Sequence, residues 1–272
     1  PSSAGPMVGG HMKVAVSGKG GAGKTTLAAL CAAELVRRGV HVTAIDADPN
    51  PTLAPCLGIT ETPVPLLEMS HEIEERVGSG VIRLNPRVDD LVDKIAVGRD
   101  GLQLIVAGGP VRGGAGCACP QSVLLRQLLE HVVVSLEEAV IIDLEAGLEH
   151  LGRRTAHAAD ALLVVVDPTN ASVETAQRIA RLAADIELRR VALVANRIVD
   201  PTDLEFIRER LPELELVGEI PFSHDVMVAE RDRRPLIDLG GPAAAAVARM
   251  LDVLSAAEPA TAVLESPEEV TT

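Results

Sequence analysis

The chain has 272 residues, 47 % of them hydrophobic, with 25 basic and 39 acidic side chains and a net charge of −14. An acidic surface repels nucleic-acid phosphates, and with 2 Phe and no Trp or Tyr there are almost no rings for bases to stack on, so nucleic acid is not expected as a partner. The 4 cysteines are too few for a secreted disulfide scaffold, and no apolar run reaches the ~20 residues of a membrane span, so a cytoplasmic protein without a membrane partner is expected.

Taken in chain order, Gly9-Gly10-His11-Met12 reads as a vector-derived junction. Residues 1–11 are therefore set aside as vector-derived or disordered, with a single domain over 12–257. Val14 to Ser17 reads as a strand, Lys24 to Arg38 as a helix and Val40 to Ile45 as the next strand, ending in Asp46-Ala47-Asp48-Pro49-Asn50. Residues 50–100, rich in Pro and charge, read as loops with short helices. Leu102 to Ala107 is a strand, Gly108 to Pro120 a Gly-rich loop, and Gln121 to Val134 a helix with a leucine stripe. Strands follow at Ala139 to Leu144, Ala161 to Val166, Val191 to Ala195 and Leu216 to Ile220, with helices at 171–184, 202–210 and Pro242 to Ala257. Residues 258–272 read as a disordered acidic tail.

Strands that are apolar throughout and joined through helices predict an α/β fold of three αβα layers with a mostly parallel central sheet. In such sheets ligands gather at the carboxyl ends of the strands.

The run Gly18-Lys19-Gly20-Gly21-Ala22-Gly23-Lys24-Thr25-Thr26 follows a strand and opens a helix. Gly-x-x-x-x-Gly-Lys-Thr in that setting is a phosphate-binding loop, the mark of a P-loop NTPase fold. Its glycines let backbone N–H groups turn inward at phosphate oxygens, and the helix N-terminus adds partial positive charge. Lys24 is expected at the β- and γ-phosphates and the Thr25 hydroxyl on Mg²⁺.

With Lys19 as a second lysine in the loop, the sequence resembles the deviant Walker A ATPases, the class of MinD, ParA and the nitrogenase iron protein. The resemblance implies that Lys19 reaches the partner's nucleotide across a homodimer. Asp48, before Pro49, matches the residue that positions the attacking water, making Lys19, Lys24 and Asp48 the candidate catalytic residues. Asp143 matches the Walker B carboxylate, and Asp46 supports the loop or the Mg²⁺ waters. Asn196 matches the reader of the adenine amino group, and Pro221 and Phe222 match the segment lining the base. The implied cofactors are ATP or ADP with Mg²⁺, and the implied reaction is hydrolysis of ATP.

Cys117-Ala118-Cys119 lies in the Gly-rich loop. Two thiolates there could share one soft or borderline cation, completed to four by a two-fold partner, or they could be unrelated cysteines or a strained disulfide. The surrounding Gly114-Ala115-Gly116-Cys117-Ala118-Cys119-Pro120 and the run Asp143-Leu144-Glu145-Ala146-Gly147-Leu148-Glu149-His150-Leu151-Gly152-Arg153 resemble the CooC-type ATPases that insert nickel into carbon monoxide dehydrogenase. That resemblance, from about Met12 to Ile220, implies a metallochaperone. Its dimer would hold Ni²⁺ or Zn²⁺ on Cys117 and Cys119 and deliver it to a client metalloenzyme such as carbon monoxide dehydrogenase. Cys31 and Cys56 read as structural. A MinD/ParA-type positioning ATPase and an iron–sulfur electron-transfer ATPase are the competing readings. The acidic C-terminal run speaks against membrane binding by the first, and the Cys-x-Cys spacing speaks against the second.

Overall fold

β1 (Lys13–Gly18) runs through the middle of the molecule, with its last five residues buried. Its side chains alternate between two hydrophobic cores: Val14 and Val16 face one and Ala15 the other. A strand buried on both faces needs helices on both, and that is the architecture of this computed structural model, which describes residues 11–78, 82–99, 101–108, 120–148 and 150–256.

The remaining strands are β2 (Val42–Asp46), β3 (Val97–Arg99), β4 (Leu102–Val106), β5 (Ala139–Asp143), β6 (Ala161–Val166), β7 (Val191–Ile198) and β8 (Glu215–Pro221). They form one eight-stranded sheet in the order β3-β4-β2-β5-β1-β6-β7-β8. All pairings are parallel except β3 with β4.

One core lies beneath α1 (Lys24–Arg37), α2 (Leu53–Cys56), α9 (His224–Arg231) and α10 (Pro242–Ala256). The opposite core is covered by α3 (Ser70–Val77), α4 (Leu91–Ile95), α5 (Pro120–Ser135), α6 (Arg153–Ala158), α7 (Asn170–Asp185) and α8 (Pro201–Arg210). Arg38 fastens α1 to α10 by donating to Asp252 at 2.7 Å and to the Ala248 carbonyl at 2.9 Å.

The three-layer α/β fold expected from the sequence is the one observed. α7 and α8 each begin one residue before the expected start. The Thr169 side chain accepts from the Ser172 amide, and Asp200 forms a reciprocal capping box with Asp203. β2 includes Asp46, which places that carboxylate within the sheet and not beyond it. β3, α6 and α9 were not expected. Within the stretch read as loops, β3 is three residues long and only partly buried, too short for a periodic signal. The tail 258–272 and residues 1–10 lie outside the described residues.

Candidate nucleotide-binding site

The parallel register alone assembles the centre of the site. Asp143 is opposite Val16 of β1 on one side and Asp46 of β2 on the other. The carboxyl ends of these three strands therefore bring the phosphate loop and two acidic residues together, across more than a hundred residues of chain.

The loop leaves β1 at Gly18 and closes with the Ala22 amide donating to the Lys19 carbonyl at 3.1 Å. Gly23 precedes α1 with φ of 99°, a left-handed conformation that a Cβ would oppose. No side chain caps α1, so the amides of its first turn and the partial positive charge of its dipole face the loop. Lys24 is buried at 8 % exposure and makes no ion pair with a described carboxylate. A buried cation that no carboxylate contacts directly is costly, so this arrangement favours an anionic ligand.

The Thr25 hydroxyl donates to Asp143 Oδ2 at 2.6 Å. Burial pushes the Asp143 carboxyl up to about 7, with Asp46 and Asp48 adding to the shift and the Thr25 hydrogen bond and Lys24 opposing it. Its other oxygen, Oδ1, is buried without a hydrogen-bond partner among the described residues. A hard divalent cation with its water shell fits this donor set: it would engage Thr25, satisfy Asp143 Oδ1 through water and favour the ionised carboxylate.

Asp46 is already occupied. Its Oδ2 accepts from the Thr52 and Leu53 amides at 2.8 and 2.9 Å, and its Oδ1 from the Asp48 amide at 3.2 Å. Asp46 therefore shapes the loop that carries Asp48. Asp48 is half-buried and, among the described residues, its carboxylate accepts only from the Asn50 amide, at 2.9 Å. Lys19 is half-buried in the loop and forms no ion pair with a described residue.

At the other end of the loop, a cavity of about 320 Å³ is lined by Gly23, Thr26, Asn196, Pro221, Phe222 and Glu230, among others. Its size suits a small planar ligand. The Asn196 amide nitrogen donates to the Ala22 carbonyl at 2.7 Å, and a Cβ on Gly23 would lie 2.3 Å from that nitrogen. Phe222 is 48 % exposed at the rim.

Glu230 is a site residue that sequence reasoning missed. α9 brings it back to accept from the Thr26 hydroxyl. The Ser223 side chain, accepting from the Val226 amide, marks where α9 starts, but carries no sign that Glu230 meets Thr26.

The expected structural roles of the other cysteines agree with their surroundings. Burial pushes the Cys31 thiol up to about 12 and the Cys56 thiol up to about 11, with acidic neighbours adding to both. Both are free thiols, far from thiolate character. Cys117 and Cys119 lie outside the described residues. Among the described residues no three His, Cys, Asp or Glu side chains cluster as a metal site.

Residues 13–236 match the CobQ/CobB/MinD/ParA nucleotide-binding domain. The chain belongs to that family. As a MinD/ParA-type P-loop ATPase it hydrolyses ATP. It is 38 % identical over 252 residues to the uncharacterized ATP-binding protein MJ0823 of Methanocaldococcus jannaschii, covering 89 % of this chain and 97 % of that one. It is also 38 % identical over 237 residues to the carbon monoxide dehydrogenase accessory protein CooC of Rhodospirillum rubrum, covering 84 % of this chain and 90 % of that one. Among solved structures, the fold of this ATPase is shared with the MinD cell division protein of Aquifex aeolicus, with a TM-score of 0.65, 23 % identity and coverage of 91 % of this chain and 98 % of that one. No described helix of the ATPase is long and apolar enough to cross a membrane.

Proposed function

We propose that this ATPase is a maturation factor for a metalloenzyme, a cytoplasmic homodimer in which the nucleotide state governs capture and release of a metal ion. The cargo is Ni²⁺ or Zn²⁺, held by Cys117 and Cys119 of both subunits, and the client is a metalloenzyme such as carbon monoxide dehydrogenase. The similarity to CooC over most of both chains, together with the Cys-x-Cys sequence, supports the accessory role.

The observation that carries the link between nucleotide and metal is at Gly108. This residue immediately precedes the segment that bears both cysteines, and a Cβ there would lie 2.0 Å from the Asp48 carbonyl oxygen. The root of the cysteine loop thus rests directly on the segment that presents Asp48.

In this reading one domain, 12–257, carries the whole nucleotide site. Lys24 and the first-turn amides of α1 hold the phosphates. Thr25 and Asp143 hold Mg²⁺, which neutralises phosphate charge, with Asp46 bracing the loop beside them. Asp48 orients the attacking water, since phosphoryl transfer rests mainly on positioning and charge neutralisation. Lys19 reaches the partner's nucleotide, and Asn196, Pro221 and Phe222 take the adenine.

The test is titration of the full chain with Ni²⁺ and with Zn²⁺, read by size-exclusion chromatography. The wild type is expected to shift from monomer to dimer, and the Cys117→Ser, Cys119→Ser double variant to stay monomeric while still binding ADP. A monomer under every condition, or equal metal binding by both proteins, contradicts the shared site.

A further inference from the structure

Arg197 has a backbone φ of 61°, in the left-handed region that residues with a Cβ seldom occupy. The pairing of β7 with β8 shifts at the same place. Asn196 is opposite Ile220 and Ile198 is opposite Pro221, so Arg197 is one residue more than β8 matches. Its guanidinium is exposed and makes no hydrogen bond or ion pair with a described residue, and Arg197 lines the same cavity as Asn196.

What the bulge alters is the aim of the residue beside it. Asn196 reaches the Ala22 carbonyl, 174 residues away in sequence, with its amide nitrogen. A carbonyl oxygen only accepts, so this contact fixes which end of the amide faces the loop. The amide oxygen is left for the cavity that Asn196 lines, and no described residue donates to it. An acceptor in that position attracts an exocyclic amine and repels an exocyclic oxygen.

We infer that Arg197 is a positioning residue for base selectivity. Its left-handed backbone, and not its guanidinium, holds Asn196 so that the site takes 6-aminopurine nucleotides and rejects 6-oxopurine ones. This rests on the nucleotide reading above and adds the device that sets its selectivity.

The experiment compares ADP with IDP, which differ at purine position 6, by titration calorimetry on the full chain. The wild type is expected to prefer ADP by tenfold or more, the range of one discriminating base contact. Arg197→Gly lacks the guanidinium and favours the left-handed backbone, and Arg197→Ala lacks it with a Cβ no more restrictive than that of arginine, so both keep the preference within about threefold. Arg197→Val, β-branched and averse to positive φ, drops it towards one while the IDP affinity, set by the phosphate loop, stays within about threefold.

A Val variant with the wild-type preference overturns the inference. If the Val variant does not fold, the Gly and Ala variants decide the matter: loss of preference in either assigns selection to the guanidinium and overturns it. Equal binding of ADP and IDP by the wild type also overturns it, and metal-dependent dimerisation then reports separately on the maturation role.

Discussion

The Thr25 hydroxyl donates to Asp143 Oδ2 across 118 residues of sequence, while Asp143 Oδ1 is buried with no hydrogen-bond partner among the described residues. One carboxylate thus couples the start of α1 to the end of β5 and keeps an acceptor in reserve. That reserve has a thermodynamic consequence.

Burial raises the Asp143 carboxyl from its ordinary 3.8 to about 7 in the folded protein. Between those values the folded state holds the proton more tightly than the unfolded chain does. Stability of the metal-free protein therefore falls as pH rises through this window, by on the order of 4 kcal/mol. Asp143→Asn is neutral at every pH. In EDTA at pH 8 its melting temperature should exceed that of the wild type, with the gap narrowing towards pH 4, while Mg²⁺-dependent ATP hydrolysis falls about a hundredfold or more. An Asn variant melting at or below the wild type at pH 8 contradicts the assignment.

Lys24 and Asp48 should separate binding from turnover. Lys24→Ala removes the buried cation of the loop and should abolish ATP binding in a filter or calorimetric assay. Asp48→Ala leaves the loop glycines and Lys24 in place, so ATP binding should persist while turnover falls about a hundredfold or more. Unchanged turnover in Asp48→Ala removes its role in orienting water.

Gly108→Ala probes the contact between the cysteine loop and Asp48. Because the added methyl would lie 2.0 Å from the Asp48 carbonyl oxygen, backbone must move on one side or the other. A cost of about 1–3 kcal/mol in stability is expected from overpacking. If the contact transmits nucleotide state, Ni²⁺ binding should lose its dependence on ATP against ADP while ADP binding itself stays near wild type. A nucleotide dependence equal to that of the wild type means the contact is only structural.

How much of this was legible in the sequence follows from how local each signal is. The phosphate loop is contiguous, so its residue types and spacing sufficed. Asp143 was readable because it ends a run of apolar residues, and the parallel register with Val16 and Asp46 then placed it. Glu230 was not readable: it meets Thr26 from 204 residues away, on a helix of eight residues with a single fully buried side chain, Ala229. The bulge at Arg197 left no trace either, since an arginine in a strand carries none of the glycine signal that usually marks positive φ. Asp46 was placed between two roles from sequence, and the amides of Asp48, Thr52 and Leu53 on its oxygens are the contacts a loop-shaping role needs.

The central claim is that two chains share one metal ion in a nucleotide-dependent way. Native mass spectrometry of the full chain with Ni²⁺ and a non-hydrolysable ATP analogue tests it most directly. The account predicts a species of two chains, two nucleotides and one nickel ion, absent from the Cys117→Ser, Cys119→Ser variant. A nickel ion carried by each monomer, or the same dimeric species in the variant, contradicts it.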